Sequence, residues 1–130
     1  MSFLGIDYGE KKVGLALAED GRLALPLLIL NNVSDKVLIT ELLTVIHRYK
    51  IKTIVLGYPL SLAGQATVQT QKVLAFKQRL ANFFKSEIIL ADERFSSKII
   101  KSAQRGLRVR HHDDAAAAAV ILQSYLDRLR

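Results

Sequence analysis

The chain contains no cysteine. That excludes disulfides, thiolate nucleophiles and cysteine-ligated zinc, so any bound metal would take its ligands from carboxylates or histidine. Long apolar runs are missing too: the two longest, Leu23 to Leu30 and Ala115 to Leu122, are eight residues each, far below the roughly 18 that suggest a helical membrane span. The N-terminus carries an acid at Asp7 and no basic stretch followed by an apolar one, which speaks against a secretory signal and makes the cytoplasm the expected location. No G-x-S-x-G elbow and no Walker lysine loop occurs, which leaves serine hydrolysis and P-loop chemistry without support. There is no internal repeat and no linker-like stretch.

What is present fits one domain. The 130 residues are half apolar, enough for a real core and too few for a second one, so a single domain over residues 1–130 is expected. The charge is uneven. Residues 1–65 hold 7 Lys and Arg against 6 acids, a net +1, whereas residues 66–130 hold 12 against 6, a net +6. Lys98, Lys101, Arg105, Arg108 and Arg110 crowd into one short segment, the footprint expected of binding to a nucleic-acid backbone. A solvated basic surface kept for solubility is the plainer reading of the same residues.

Element by element, the pattern starts with Phe3-Leu4-Gly5-Ile6-Asp7-Tyr8-Gly9. Leu4, Ile6 and Tyr8 share one face at the two-residue period of a strand, and Gly5 and Asp7 share the other. Gly9 permits a turn into a second strand, Val13 to Ala18. An Asp20-Gly21 turn leads to a third strand over Leu23 to Leu30, where Pro26 argues for a sheet edge. Ser34 caps a predicted helix over 35–50, with Leu38, Leu42, Val45, Ile46 and Tyr49 at helical spacing. The pattern then alternates: a strand at Thr53 to Leu56 ending at Gly57, an amphipathic helix near 66–85, a strand at Ile88 to Ala91 ending in Asp92-Glu93-Arg94, a helix containing Ile99 and Ile100 that Gly106 stops, and a last helix from Asp113-Asp114. In that helix Ala118, Leu122, Tyr125 and Leu129 form one stripe. Right-handed crossovers make the fourth and fifth strands parallel to the first. The expected class is therefore α/β, a mixed five-stranded sheet flanked by helices, with strands one to three antiparallel and strands one, four and five parallel.

Ligands of such sheets gather at the carboxyl ends of the parallel strands. Asp7, Gly57 and the Asp92/Glu93 pair all fall there, and the Asp113/Asp114 pair reaches the same edge through the start of the last helix. Acids converging in this way repel one another unless protons or cations neutralise them. Mg²⁺ and Mn²⁺ prefer oxygen ligands, and two such ions activate water and stabilise the leaving oxygen in phosphodiester cleavage. Individually each acid also has a purely structural reading, as a turn or helix cap or as half of a surface ion pair. His111 and His112 are candidates for proton transfer or ligation and equally for exposed positions; His47 reads as a surface or core-margin residue.

Four motifs in order, Gly5-Ile6-Asp7-Tyr8-Gly9 with Lys12, Gly14 and Ala16; Gly57-Tyr58-Pro59-Leu60 with Gly64; Asp92-Glu93-Arg94-Phe95-Ser96-Ser97; and Asp114 to Ala118 leading into Ile121 to Leu126, make the chain resemble the YqgF/RuvX family of pre-16S rRNA nucleases, also called Holliday-junction-resolvase-like proteins. The resemblance implies a ribonuclease H-like fold and Mg²⁺- or Mn²⁺-dependent endonuclease activity at the 5′ end of the small-subunit rRNA precursor. Its implied catalytic and metal-binding residues are Asp7, Glu93 and Asp114, with Asp92 and Asp113 as secondary candidates. Lys12 joins Lys98, Lys101, Arg105, Arg108 and Arg110 as contacts to nucleic acid. The implied partners are pre-16S rRNA or a pre-ribosomal particle, with branched DNA as the substrate of a rival resolvase reading, no membrane, and a monomer or weak homodimer. A non-catalytic RNA-binding assembly factor is the rival outside the enzymes. The D-x-G opening also occurs in the actin and sugar-kinase fold, whose two-lobed cleft needs a longer chain.

Overall fold

The computed structural model describes residues 2–58, 67–92 and 114–129. In chain order the elements are β1 (Ser2–Tyr8), β2 (Lys12–Ala18), β3 (Leu25–Asn31), α1 (Asp35–Tyr49), β4 (Ile51–Tyr58), α2 (Val68–Ala81), β5 (Glu87–Asp92) and α3 (Asp114–Arg128). The strands form one five-stranded sheet in the order β3-β2-β1-β4-β5. β1 pairs antiparallel with β2 and parallel with β4, β2 pairs antiparallel with β3, and β4 pairs parallel with β5. This is the mixed sheet that the strand pattern predicts, with β1 at its centre and Pro26 on the edge strand β3. The expected helix around Ile99 and Ile100 lies outside the described residues.

Alternation along β1 divides the core. Leu4 and Ile6 belong to a cluster with Leu38, Leu42, Ile54, Leu56, Val73 and Phe76, which places α1 and α2 on that face. Phe3 belongs to a second cluster with Ala16, Val55, Ala91, Ala118 and Leu122, which places α3 on the other. The two faces pack differently because their side chains differ in size. Opposite α3 the sheet offers Gly5, Ala16 and Ala18, and the helix answers with Ala115 and Ala118, so backbone approaches backbone. A Cβ added to Gly5 would stand 2.8 Å from Leu122 Cβ and 2.9 Å from the Ala118 carbonyl oxygen.

Helix boundaries follow from local chemistry. Ser34 Oγ accepts from the Val37 N–H at 3.3 Å and caps α1, and Lys50 ends it in the left-handed region (φ 53°, ψ 52°) with its N–H on the His47 and Ile46 carbonyls, so β4 starts at the very next residue. α2 is shorter than its apolar pattern predicts. A capping box between Thr67 and Thr70 fixes its start, and after Asn82 the N–H groups of Phe83 and Phe84 both turn back to the Leu80 carbonyl, so buried Phe84 reaches the core from a turn rather than from helix.

Two further expectations are corrected. β3 begins at Leu25 rather than Leu23, because the preceding residues are tied to α3: Gln123 Oε1 accepts from the Ala24 N–H at 2.9 Å and Gln123 Nε2 donates to the Arg22 carbonyl at 3.0 Å. The α3 stripe runs through Ala118, Ile121, Leu122 and Leu126, all buried, while Leu129 is exposed, since the helix has by then passed Phe3 near the start of β1. Gly21 (φ +74°) makes the expected Asp-Gly turn, and His47 is exposed on α1.

Candidate functional site

Asp7 is the penultimate residue of the central strand, half-buried, on the α3 face by its parity with Phe3 and Gly5. Its register partner on β2 is Gly14. On β4 it is level with Gly57, because Ile6 lies opposite Leu56. Neither neighbouring strand therefore contributes a side chain beside the carboxylate. Lys12, two residues from Gly14 along β2, shares that face and is exposed, which puts a cation at the same end of the sheet as the acid.

α3 closes this end from above. Its Tyr125 ring lies 6.4 Å from the Phe3 ring, and its Ala118 and Leu122 lie over Gly5. Contacts thus climb α3 towards its N-terminus as β1 runs towards Asp7. The helix is antiparallel to β1, and its first turn, which begins at Asp114, lies at Asp7's end. The partial positive charge of a helix N-terminus favours anions there.

Asp92 is in a different place. On β5, Ala91 belongs to the α3-face core and Leu90 packs on the opposite cluster. Asp92, opposite Tyr58, therefore belongs to the α1/α2 face, away from Asp7 and two strand spacings, about 10 Å, across the sheet. Strand alternation thus sets Asp92, a secondary candidate for the site, on the face opposite Asp7. Glu93, Asp113, His111, His112, Lys98, Lys101, Arg105, Arg108 and Arg110 lie outside the described residues, as do Ser96, Ser97 and Gly64 of the resemblance-bearing motifs. Among the described residues no group of three or more acids and histidines could hold a metal; Asp7 supplies the one hard oxygen donor described on this face at the exit of β1, which suits Mg²⁺ or Mn²⁺ as far as it goes.

The turn that follows Asp7 is held by side chains with no signature in the sequence. Gln69 Nε2, in the first turn of α2, donates to the Tyr8 carbonyl at 3.1 Å, and Asn32 Nδ2 donates to the Gly9 carbonyl at 2.8 Å. The Asn32 N–H also reaches the Lys11 carbonyl at 2.8 Å. Gly9 is required sterically, since a Cβ there would meet the Lys12 carbonyl oxygen at 2.5 Å. Tyr8 stacks on Phe76 with ring centroids 4.4 Å apart, and Lys72 pairs with Glu10. The Lys72 hydrogen bond and charge hold the Glu10 carboxyl below its ordinary pKa, so this pair's small contribution to stability is present above the unfolded carboxylate pKa and is lost as pH falls through the lowered one. The Thr67/Thr70 spacing does announce where α2 starts, but no pattern says that Gln69 will reach a carbonyl of β1. Gln69→Met is expected to cost about 1 kcal/mol, the worth of a part-buried hydrogen bond, read from the urea midpoint at unchanged m-value.

A mixed sheet of this strand order, with an acid leaving the central strand and a helix packed across it, defines the ribonuclease H-like class. The fold is shared with RuvC of Thermus thermophilus, solved in complex with a Holliday junction substrate, at a TM-score of 0.65 and 15% identity over 99% of this chain and 96% of that one. It is shared also with the yeast mitochondrial Holliday junction resolvase, at a TM-score of 0.56 and 14% identity over 95% of this chain and 77% of that one. The chain belongs to the RuvX family, whose model, described as Holliday junction resolvase, matches residues 1–128. Relatives from Rickettsia peacockii and Rickettsia felis, both named as pre-16S rRNA nucleases, are 35% and 36% identical over 133 aligned positions, covering 98% of this chain and 86% of each relative.

Proposed function

We propose that this chain is a metal-dependent endonuclease that processes the 5′ end of pre-16S rRNA during ribosome biogenesis. The observation that carries this reading is Asp7: a half-buried carboxylate at the exit of the central strand, flanked by glycines, with Lys12 on its face and the first turn of α3 at its end, in a chain of the RuvX family. The names of the Rickettsia relatives support the RNA substrate.

In this reading Asp7, Glu93 and Asp114 hold Mg²⁺ or Mn²⁺. Glu93 is the next residue after Asp92, which ends β5. Bound there, the ion supplies a Lewis acid for the phosphoryl oxygen and lowers the pKa of water. The protein's share is positioning and charge. Gln69 and Asn32 fix two successive peptides just past Asp7, Tyr8-Gly9 and Gly9-Glu10, by bonding their carbonyls. Lys12 and the segment carrying Lys98, Lys101, Arg105, Arg108 and Arg110 hold phosphates, which makes binding salt-dependent. No helix among the described residues is long and apolar enough to cross a membrane.

The family model's description and the junction-bound neighbour favour a second reading, cleavage of branched DNA. One experiment separates the two. Purified protein is given a precursor rRNA leader and a synthetic four-way DNA junction, with Mg²⁺, Mn²⁺ or EDTA. The expected result is cleavage of the RNA that EDTA abolishes; preference for the junction would move the assignment to resolvase. Tight, metal-independent binding with no cutting of either substrate would leave a non-catalytic assembly factor.

A further inference from the structure

β3 is an edge strand without the usual protection. From Leu25 to Asn31 it carries no charged residue, and one side of its backbone faces no other strand among the described residues. Natural edges are blunted by charges, prolines and bulges; here Pro26 and the register shift beside it act on the first half only, which leaves Leu27–Asn31 with all its N–H donors. Both ends of this edge expose apolar side chains: Leu23 at 60% and Leu25 at 56% where the strand begins, Val33 at 79% and Val37 at 45% just beyond where it ends, with Ile29 exposed between. The two ends differ in charge. At the beginning, Glu19 and Asp20 border a groove of about 390 Å³ floored by Leu23, Leu25, Leu27 and Tyr49. At the far end Lys11 and Lys36 are exposed.

We infer that this edge is a self-association surface, on which a second copy of the chain pairs its own β3 antiparallel about a two-fold axis. The occupant follows from complementarity along the strand. Antiparallel pairing centred on Leu28 or Ile29 sets the beginning of one edge against the end of the other. Leu23 and Leu25 then meet Val33 and Val37 of the second copy, and the Glu19/Asp20 rim meets Lys36 of the second copy. A two-fold axis makes each contact twice, as an isologous interface requires. The sheet becomes continuous across ten strands, and the two Asp7 residues stand on its same face, five strand spacings or about 24 Å apart. A single edge pairing buries area at the low end of specific interfaces, so the dimer is a reversible one with a Kd of about 10 µM.

The test is sedimentation velocity from about 1 to 300 µM, a range that brackets this affinity, on the full chain and on Glu19→Lys, Lys36→Glu and the double variant that carries both. All three variants substitute exposed side chains, and circular dichroism checks their folding. The expected result is a concentration-dependent dimer that weakens about tenfold in each single variant and recovers in the double variant, where the opposite charges face each other again. Ile29→Lys, which places a cation on the bare edge, should leave only monomer. A wild-type chain that stays monomeric throughout the range overturns the inference, and so does a dimer indifferent to the single charge reversals.

Discussion

Asp7→Asn is expected to lower cleavage by about 1000-fold or more, equivalent to about 4 kcal/mol of barrier, while the protein folds and binds RNA as before. The amide keeps the size of the carboxylate and removes the charge. In the proposed site that charge is what holds a hard divalent ion, and an amide oxygen is a far poorer ligand for it. Folding should not suffer. Asp7 is half-buried on the face where further acids are proposed to gather, so losing its charge relieves repulsion there. Binding should hold as well, since phosphates are attracted by Lys12 and the basic segment and a neutral residue repels them less. The measurements are single-turnover cleavage of the precursor leader, a filter-binding isotherm and a thermal melt on one preparation. Wild-type cleavage by the variant would sink the assignment of Asp7.

Gly5→Val is expected to fail differently, losing about 3 kcal/mol of stability or more together with activity. Even the first carbon of a side chain at Gly5 would lie 2.8 Å from Leu122 Cβ and 2.9 Å from the Ala118 carbonyl. Neither atom is the free end of a flexible chain. Relief requires α3 to lift from the sheet, which opens the contacts among Ala16, Ala118, Ile121 and Leu122, and overpacking of a well-filled core costs about 1–3 kcal/mol before such displacement is added. A lifted α3 also carries Asp114 away from Asp7's end of β1. Gly5→Ala should show the same defect in smaller measure. A Tm within a degree or two of wild type for the valine variant would mean that α3 does not pack against β1 as closely as described.

The parts of this molecule legible in the sequence are those that local chemistry dictates. The faces of β1, the Asp20-Gly21 turn, the Ser34 cap and the edge position implied by Pro26 each follow from one residue's stereochemistry or from a period of two. The errors lie where a distant element decides. Leu23 reads as strand until Gln123 claims the backbone on either side of it. Leu129 reads as core until the finite length of the sheet leaves it nothing to cover. At the site, the resemblance-bearing motifs pick out Asp7, but the face on which Asp92 lies is legible only once the alternation of β5 is anchored by Ala91. Gln69 and Asn32 were hidden because a hydrogen bond to a backbone carbonyl across the fold leaves no periodicity to find.

The central position of β1 also sets the order in which the molecule is built. Its antiparallel partner β2 is next in the chain, a hairpin of the kind that closes in about 1–10 µs. Its parallel partner is not: Gly5 pairs with Val55, so α1 must be in place and a long loop closed before β1 gains its second neighbour, and such non-local pairings are slow to form. α3, which covers the same strand, comes last in the chain among the described elements. During translation the hairpin that bears Asp7 therefore exists while most of its surroundings do not. On the proposed reading, a chain not yet translated through α3 cannot cut the RNA around it.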